Sequence, residues 1–170
     1  TNVVVVGGGG SGLASAIAAQ QAGAKVIVLE KLGILGGSTN VSEGALNAAD
    51  PQRQGKQGIE DSIQKHYEQT MKGGHNIGNP ELVHYLTDHA LESVHWLESI
   101  GVKFKDEVGT ATGALWQRSH YPATPSGNTY IRSFEKYIAA HGNDMKVYTD
   151  MDAVSLIQDK AGRVIGVIAK

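Results

Sequence analysis

The chain has 170 residues, 41% of them hydrophobic and 19% charged, with 15 Lys and Arg against 17 Asp and Glu for a formal net charge of −2. That is the make-up of a globular domain, and the lack of a basic excess argues against a nucleic-acid partner. The absence of cysteine excludes disulfides, thiolate metal sites and thiol catalysis, and no apolar run is long enough for a transmembrane segment.

The first element is the stretch VVVVGGGGSG from Val3 to Gly12, an apolar strand running into a glycine turn. Its spacing, Gly7-x-Gly9-x-x-Gly12, meets three separate demands of a strand-turn-helix that must bring backbone against a pyrophosphate. Gly7 permits the sharp turn, Gly9 leaves room for the phosphates, and Gly12 lets the next helix pack close to the strand. An alanine-rich helix is predicted over roughly residues 11–22, with Leu13 and Ile17 on its buried face and Gly23 as its stop. Its free N–H groups and positive dipole end would point at the phosphates. Residues 25–30 then read as a second buried strand ending in Glu30, placed where a carboxylate accepts both adenosine ribose hydroxyls. That acid favours FAD or NAD and repels a 2′-phosphate. A merely structural glycine turn would lack the strand, helix and acid in register.

Gly36-Gly37-Ser38-Thr39 offers a second set of main-chain and hydroxyl donors. Residues 50–58, polar and broken by Pro51 and Gly55, read as a loop, after which Ile59, Ile63, Tyr67 and Met71 recur at helical spacing. Asn79 caps a further helix with Pro80 at its first position, a buried stripe of Leu82, Leu86, Ala90, Val94 and Leu97, and Gly101 as its end. His84, His89 and His95 do not share the i, i+4 face of a metal pair and read as solvated or capping residues. The charges of residues 103–107 read as a solvated turn. Gly109 to Tyr130 is irregular and carries Trp116, Arg118, His120 and Tyr121, with site lining and loop anchoring both open for Arg118 and His120. Tyr130, Ile131, Phe134 and Ile138 form the apolar face of a helix ending at Gly142, residues 146–149 make a strand expected beside the first one, and residues 153–169 read as a hairpin turning at Asp159–Gly162.

Taken together, the phrases GGGGSG, LEK, GGST and EGALNAA resemble the flavoprotein family of fumarate reductases, soluble flavocytochromes c and urocanate reductases. Ser38 and Thr39 match that family's flavin loop, and Gly44-Ala45-Leu46-Asn47-Ala48 matches its next turn, with Ala45 for a glycine, Leu46 for a methionine and Glu43 as a departure. Thr70–Gly74, Asn79–Val83, Ser93–Val102 and the Arg118-Ser119-His120-Tyr121-Pro122 phrase extend the likeness over nearly the whole chain, while Ala123-Thr124-Pro125-Ser126-Gly127 replaces a glycine-rich turn.

The resemblance implies an α/β, Rossmann-like FAD-binding fold of the glutathione-reductase, two-dinucleotide-binding type with a helical insert and a terminal β-meander hairpin. Residues 1–50 would hold the dinucleotide unit and flavin loop, 51–128 the insert, and 129–170 the last helix, third strand and hairpin. It implies FAD held by Gly7, Gly9, Gly10, Ser11, Gly12, Glu30, Lys31, Gly37, Ser38, Thr39, Gly44 and the main chain of Ala153. The implied activity is reduction of the C=C bond of an unsaturated carboxylate such as fumarate by hydride transfer from FAD N5. The capping domain would carry the catalytic groups, leaving no catalytic residue and no metal ligand here. The implied partners are a dicarboxylate or unsaturated acid and an unidentified electron donor, in a cytoplasmic protein. A 3-ketosteroid dehydrogenase, an NAD-binding module and a non-catalytic binding module are the alternatives. Thr1 in place of a methionine and a last strand stopping at Lys170 read as an excised piece.

Overall fold

The structure, a computed structural model, describes residues 1–124 and 126–170; Pro125 of the replaced glycine turn lies outside the described residues. In chain order the elements are β1 (Val3–Val6), α1 (Gly10–Gln21), β2 (Val26–Leu29), a 3-10 turn (Gly37–Val41), β3 (Leu46–Asn47), α2 (Pro51–Lys56), α3 (Ile63–Gly73), α4 (Pro80–Ser99), β4 (Ser119–His120), α5 (Asn128–Ala140), β5 (Met145–Tyr148), β6 (Ala153–Gln158) and β7 (Val164–Ala169). They fall into two compact units, one of Thr1–Ser42 with Gly127–Lys170, the other of Glu43–Ser126.

The first unit is an α/β assembly around a parallel sheet ordered β1-β2-β5. β2 is central, with Val28 opposite both Val5 and Val147, and its Val26 and Val28 are buried. The third strand is expected beside the first, but β5 pairs with β2. The Val26 N–H donates to the Asp144 carbonyl at 2.8 Å and the Glu30 N–H to that of Tyr148 at 2.8 Å, so both ends of β2 are tied to β5. A strand's own residues announce that it belongs to a sheet, not which neighbour its N–H groups will find. Helix α1 buries Leu13, Ala16 and Ile17, and α5 buries Tyr130, Ile131, Phe134 and Ile138, as the periodicity predicts. Gly23, at φ +87, ends α1 as expected, with the Ala24 N–H donating back to the Ala19 carbonyl. β6 and β7 form the expected antiparallel hairpin, turned by Asp159, whose carboxylate accepts from the Ala161 and Arg163 N–H groups.

In the second unit two expectations are corrected. Residues 50–58 contain a helix: Asp50 accepts from the Gln52 and Arg53 N–H groups, Pro51 sits in the first turn, and Gly58 (φ +69) closes it with the Ile59 N–H on the Gln54 carbonyl. The cap, proline and terminal glycine are the signals that frame α4, and they outweigh the internal Gly55 in a helix this short. On α4, Ala90, Val94 and Leu97 are buried with Thr87, but Leu82 and Leu86 are exposed. An i+4 row turns by about 40° per step around a helix of 3.6 residues per turn, so the row leaves the buried face at its N-terminal end. The Lys103, Lys105, Asp106 and Glu107 charges are exposed, and His84 stacks on Tyr67 at 3.6 Å while His89 pairs with Glu92 at 2.7 Å.

Candidate functional site

The first unit gathers most of the predicted cofactor residues at the C-terminal ends of β1 and β2. Chain reversal after β1 uses Gly7 at φ +105, a conformation that costs a side chain dearly. A Cβ on Gly12 would lie 1.9 Å from the Gly7 carbonyl oxygen, so helix and strand approach only because that atom is missing. On Gly10 it would meet the Thr39 hydroxyl at 2.5 Å, and on Gly8 the Leu35 side chain at 2.5 Å. Gly9 is different: its φ of −76° suits any residue, and the nearest atom to its Cβ would be the Gly36 oxygen at 3.9 Å.

The Gly36–Val41 loop packs directly on this turn. The Gly36 N–H donates to the Gly8 carbonyl at 2.8 Å, Gly9 and Gly36 form a parallel bridge, and Gly37 lies against the Gly9 Cα. Both loop glycines have positive φ, +110° and +49°, which explains the pair. Ser11, Lys31, Gly37 and Ser38 are exposed, leaving their polar atoms open to a ligand, and Thr39 is half-buried. Glu30 is buried at 8% exposure, its carboxylate accepting from the Leu32 N–H at 2.8 Å and the Gly8 N–H at 2.7 Å. The Leu32 bond, helped by that of Gly8 and opposed by burial, holds its carboxyl below the usual range, so it is an anion and an acceptor for hydroxyl donors.

Ala153 reaches the same end of the sheet through its neighbours, since the Met151 N–H donates to the Glu30 carbonyl at 2.9 Å and that of Asp150 to Leu32 at 3.2 Å. Asp152 and Lys170 exchange both of their backbone bonds, so the next pair, Ala153 and Ala169, is the non-bonded type and the Ala153 N–H and C=O point away from β7.

Gly44 belongs to the second unit, buried with φ +81°, just before β3. There the EGALNAA and RSH phrases meet: β3 and β4 pair antiparallel, Leu46 opposite His120 and Asn47 opposite Ser119, whose hydroxyl donates to the Asn47 side chain at 2.6 Å.

Arg118 and His120 anchor the second unit. The Arg118 guanidinium, 4% exposed, donates twice to Asp61 at 2.7 and 2.8 Å. Asp61 also accepts from Gln54 at 2.8 Å. His120 is fully buried between the Arg118 carbonyl and the Asp50 carboxylate, 3.1 Å from each. Burial drives the Asp50 carboxyl up, but the Arg53 N–H, His120 and the Arg53 guanidinium outweigh it and bring it to about 2. Burial, with the Arg118 charge, lowers His66 to about 4. His66 borders a cavity of about 340 Å³, yet its Nδ1 and the Gln69 Oε1 are sealed from that space without hydrogen-bond partners.

Sequence reasoning did not single out Gly8 or Gly127, which both stand at close approaches in the first unit. A Cβ on Gly127 would stand 1.9 Å from the Thr39 oxygen, a further close approach with no local signal.

A parallel sheet, a glycine turn opening a helix, and a buried acid at the end of the second strand define an α/β dinucleotide-binding unit. Within that class the chain belongs to the FAD binding domain family, which matches residues 2–170. It is 36% identical over 169 residues to the fumarate reductase (cytochrome) of Shewanella frigidimarina, covering 99% of this chain and 29% of that protein. To the urocanate reductase of Eggerthella lenta it is 37% identical over 169 residues, covering 99% and 28%. The open conformation of a flavocytochrome c3 fumarate reductase matches its structure with a TM-score of 0.92 at 32% identity, over 99% of this chain and 30% of that one. The chain thus spans less than a third of the length of these curated relatives. Its cofactor is FAD, and among the described residues no helix is long and apolar enough to cross a membrane.

Proposed function

We propose that this chain is the FAD-binding part of a flavoenzyme that reduces the C=C bond of an α,β-unsaturated carboxylate, a fumarate or urocanate type of substrate. The observation that carries the binding half is Gly9: backbone and packing would both accept a side chain there, so its open face is reserved for something outside the chain. A pyrophosphate at the N-terminus of α1 fits that face, with Gly10, Ser11 and Gly12 beneath it. Glu30 would accept the ribose hydroxyls, Lys31 would flank them, the outward main chain of Ala153 would meet the adenine, and Gly37, Ser38 and Thr39 would donate toward the flavin side. A third strand followed by a hairpin is the order expected of the two-dinucleotide-binding type.

The chemistry half rests on the relatives' activities. FAD, when bound, supplies a hydride for the alkene carbon. Arg118 and His120 do not supply the cationic clamp on the carboxylate, because Arg118 is committed to Asp61 and His120 to Asp50. To test both halves, the visible spectrum of the purified intact protein is recorded, followed by equilibrium dialysis against FAD, FMN and NAD. Reduced viologen dye is then offered with fumarate or urocanate, and an oxidised dye acceptor with a 3-ketosteroid. The expected result is retained flavin, preference for FAD, and dye oxidation with an unsaturated acid; NAD retention without flavin, or turnover of the steroid alone, overturns the reading.

A further inference from the structure

The first residue of α5 touches the loop assigned to the flavin, and it does so where three separate segments of chain converge. Gly36 bonds to Gly8 on one side of the loop. On the other side the Gly127 N–H donates to the Ser42 carbonyl at 2.9 Å, and the Ser42 hydroxyl donates to the Thr39 carbonyl at 2.9 Å. Inside the loop the Asn40 N–H turns back to the Gly36 carbonyl at 3.3 Å, and its side-chain amide donates to the Leu35 carbonyl at 3.3 Å. That leaves the Asn40 side-chain oxygen, which accepts from the Asn128 amide across 88 residues of sequence. Gly36 and Gly127 both owe their lack of a side chain to this arrangement: a Cβ on Gly36 would meet the Asn40 Cγ at 2.8 Å, and one on Gly127 the Ser42 hydroxyl at 2.2 Å.

Among the described residues, the Asn128 bond fastens a side chain of the loop's 3-10 turn to a helix. Gly36 and Gly37 at positive φ are conformations that the unfolded chain visits freely, so the turn needs external fastening to keep Ser38 and Thr39 in one geometry. We propose that Asn128 is a positioning residue for FAD: through Asn40 it holds the Gly36–Val41 loop in its binding geometry, so the ordering cost is met on folding instead of on cofactor binding. This rests on the assignment of that loop to FAD.

The test is a double-mutant cycle on the intact protein, with Asn40→Ala, Asn128→Ala and the pair, reading the FAD dissociation constant by calorimetry and amide exchange of residues 36–42 without cofactor. Each single change is expected to weaken FAD roughly five- to tenfold, the value of one hydrogen bond, and to speed exchange in the loop; the pair should add little more. Asn40→Asp keeps the acceptor and should bind FAD more tightly than Asn40→Ala. Unchanged affinity in Asn128→Ala, or equal weakening that adds fully in the pair, overturns the proposal. If the unaltered protein binds no FAD, it is the assignment of the loop that fails. A lowered unfolding midpoint with wild-type affinity marks Asn128 as merely structural and overturns the proposal as well.

Discussion

The two units bring distant segments together by opposite means. In the first, close approach depends on what is missing: Gly12 on Gly7, Gly10 on Thr39 and Gly127 on the Thr39 and Ser42 atoms each occupy space that a single methyl group would take. In the second, it depends on what is buried and paired: Asp50, Gln54, Asp61, Arg118 and His120 are joined by side-chain hydrogen bonds between residues as many as 70 positions apart. The first arrangement brings backbone against backbone at the N-terminus of α1. The second joins the buried polar groups of this cluster to one another.

The sharpest break of the second arrangement is Asp61→Ala. It strands the buried Arg118 guanidinium, and an uncompensated buried charge costs roughly 3–5 kcal/mol. Urea unfolding should show that loss, and a change below about 1 kcal/mol would mean the pair is solvated.

Acid should unpick the same unit in two windows. His66 has its value lowered from 6.5 to about 4, so between these values the unfolded chain binds the proton and the folded one does not. Stability is therefore lost as the pH falls from 6.5 towards 4, by about 3 kcal/mol for a shift of this size. Asp50, lowered from 3.8 to about 2, adds a further loss as the pH falls from 3.8 towards 2. Unfolding free energies at pH 7 and pH 4.5 should differ less in His66→Gln than in the unaltered protein.

The corresponding break of the first unit is Gly12→Ala. Its methyl group meets a backbone carbonyl that cannot rotate away, and overpacking of this kind costs about 1–3 kcal/mol. The unfolding midpoint should fall and FAD should be lost together.

The contrast explains what could be read from the chain beforehand. A glycine turn, a capped helix and a strand ending in an acid are local demands, written within a few neighbouring residues, so the Gly7–Gly12 turn, Glu30 and the Ser38–Thr39 loop were legible. The α2 helix was legible in principle, since Asp50, Pro51 and Gly58 are the same start and stop signals that mark α4 with Asn79, Pro80 and Gly101. An internal Gly55 and a polar composition hid it. The partnership of Arg118 with Asp61 and of His120 with Asp50 was not legible, because charge pairing over such separations is decided by tertiary packing. For the same reason nothing near Gly127 announced that its Cα would stand against Thr39 and Ser42.

Gly9→Ala tests the central claim most directly, because it alone separates folding from cofactor binding within the turn. With φ at −76° and nothing closer than 3.9 Å to the new methyl group, the variant should keep the unfolding midpoint of the unaltered protein. If a pyrophosphate rests on that face, the methyl group stands in its way, and FAD affinity measured by calorimetry should fall by about a hundredfold, the equivalent of about 2.7 kcal/mol. Unchanged affinity in a fully folded variant would contradict the account and move the dinucleotide away from this turn.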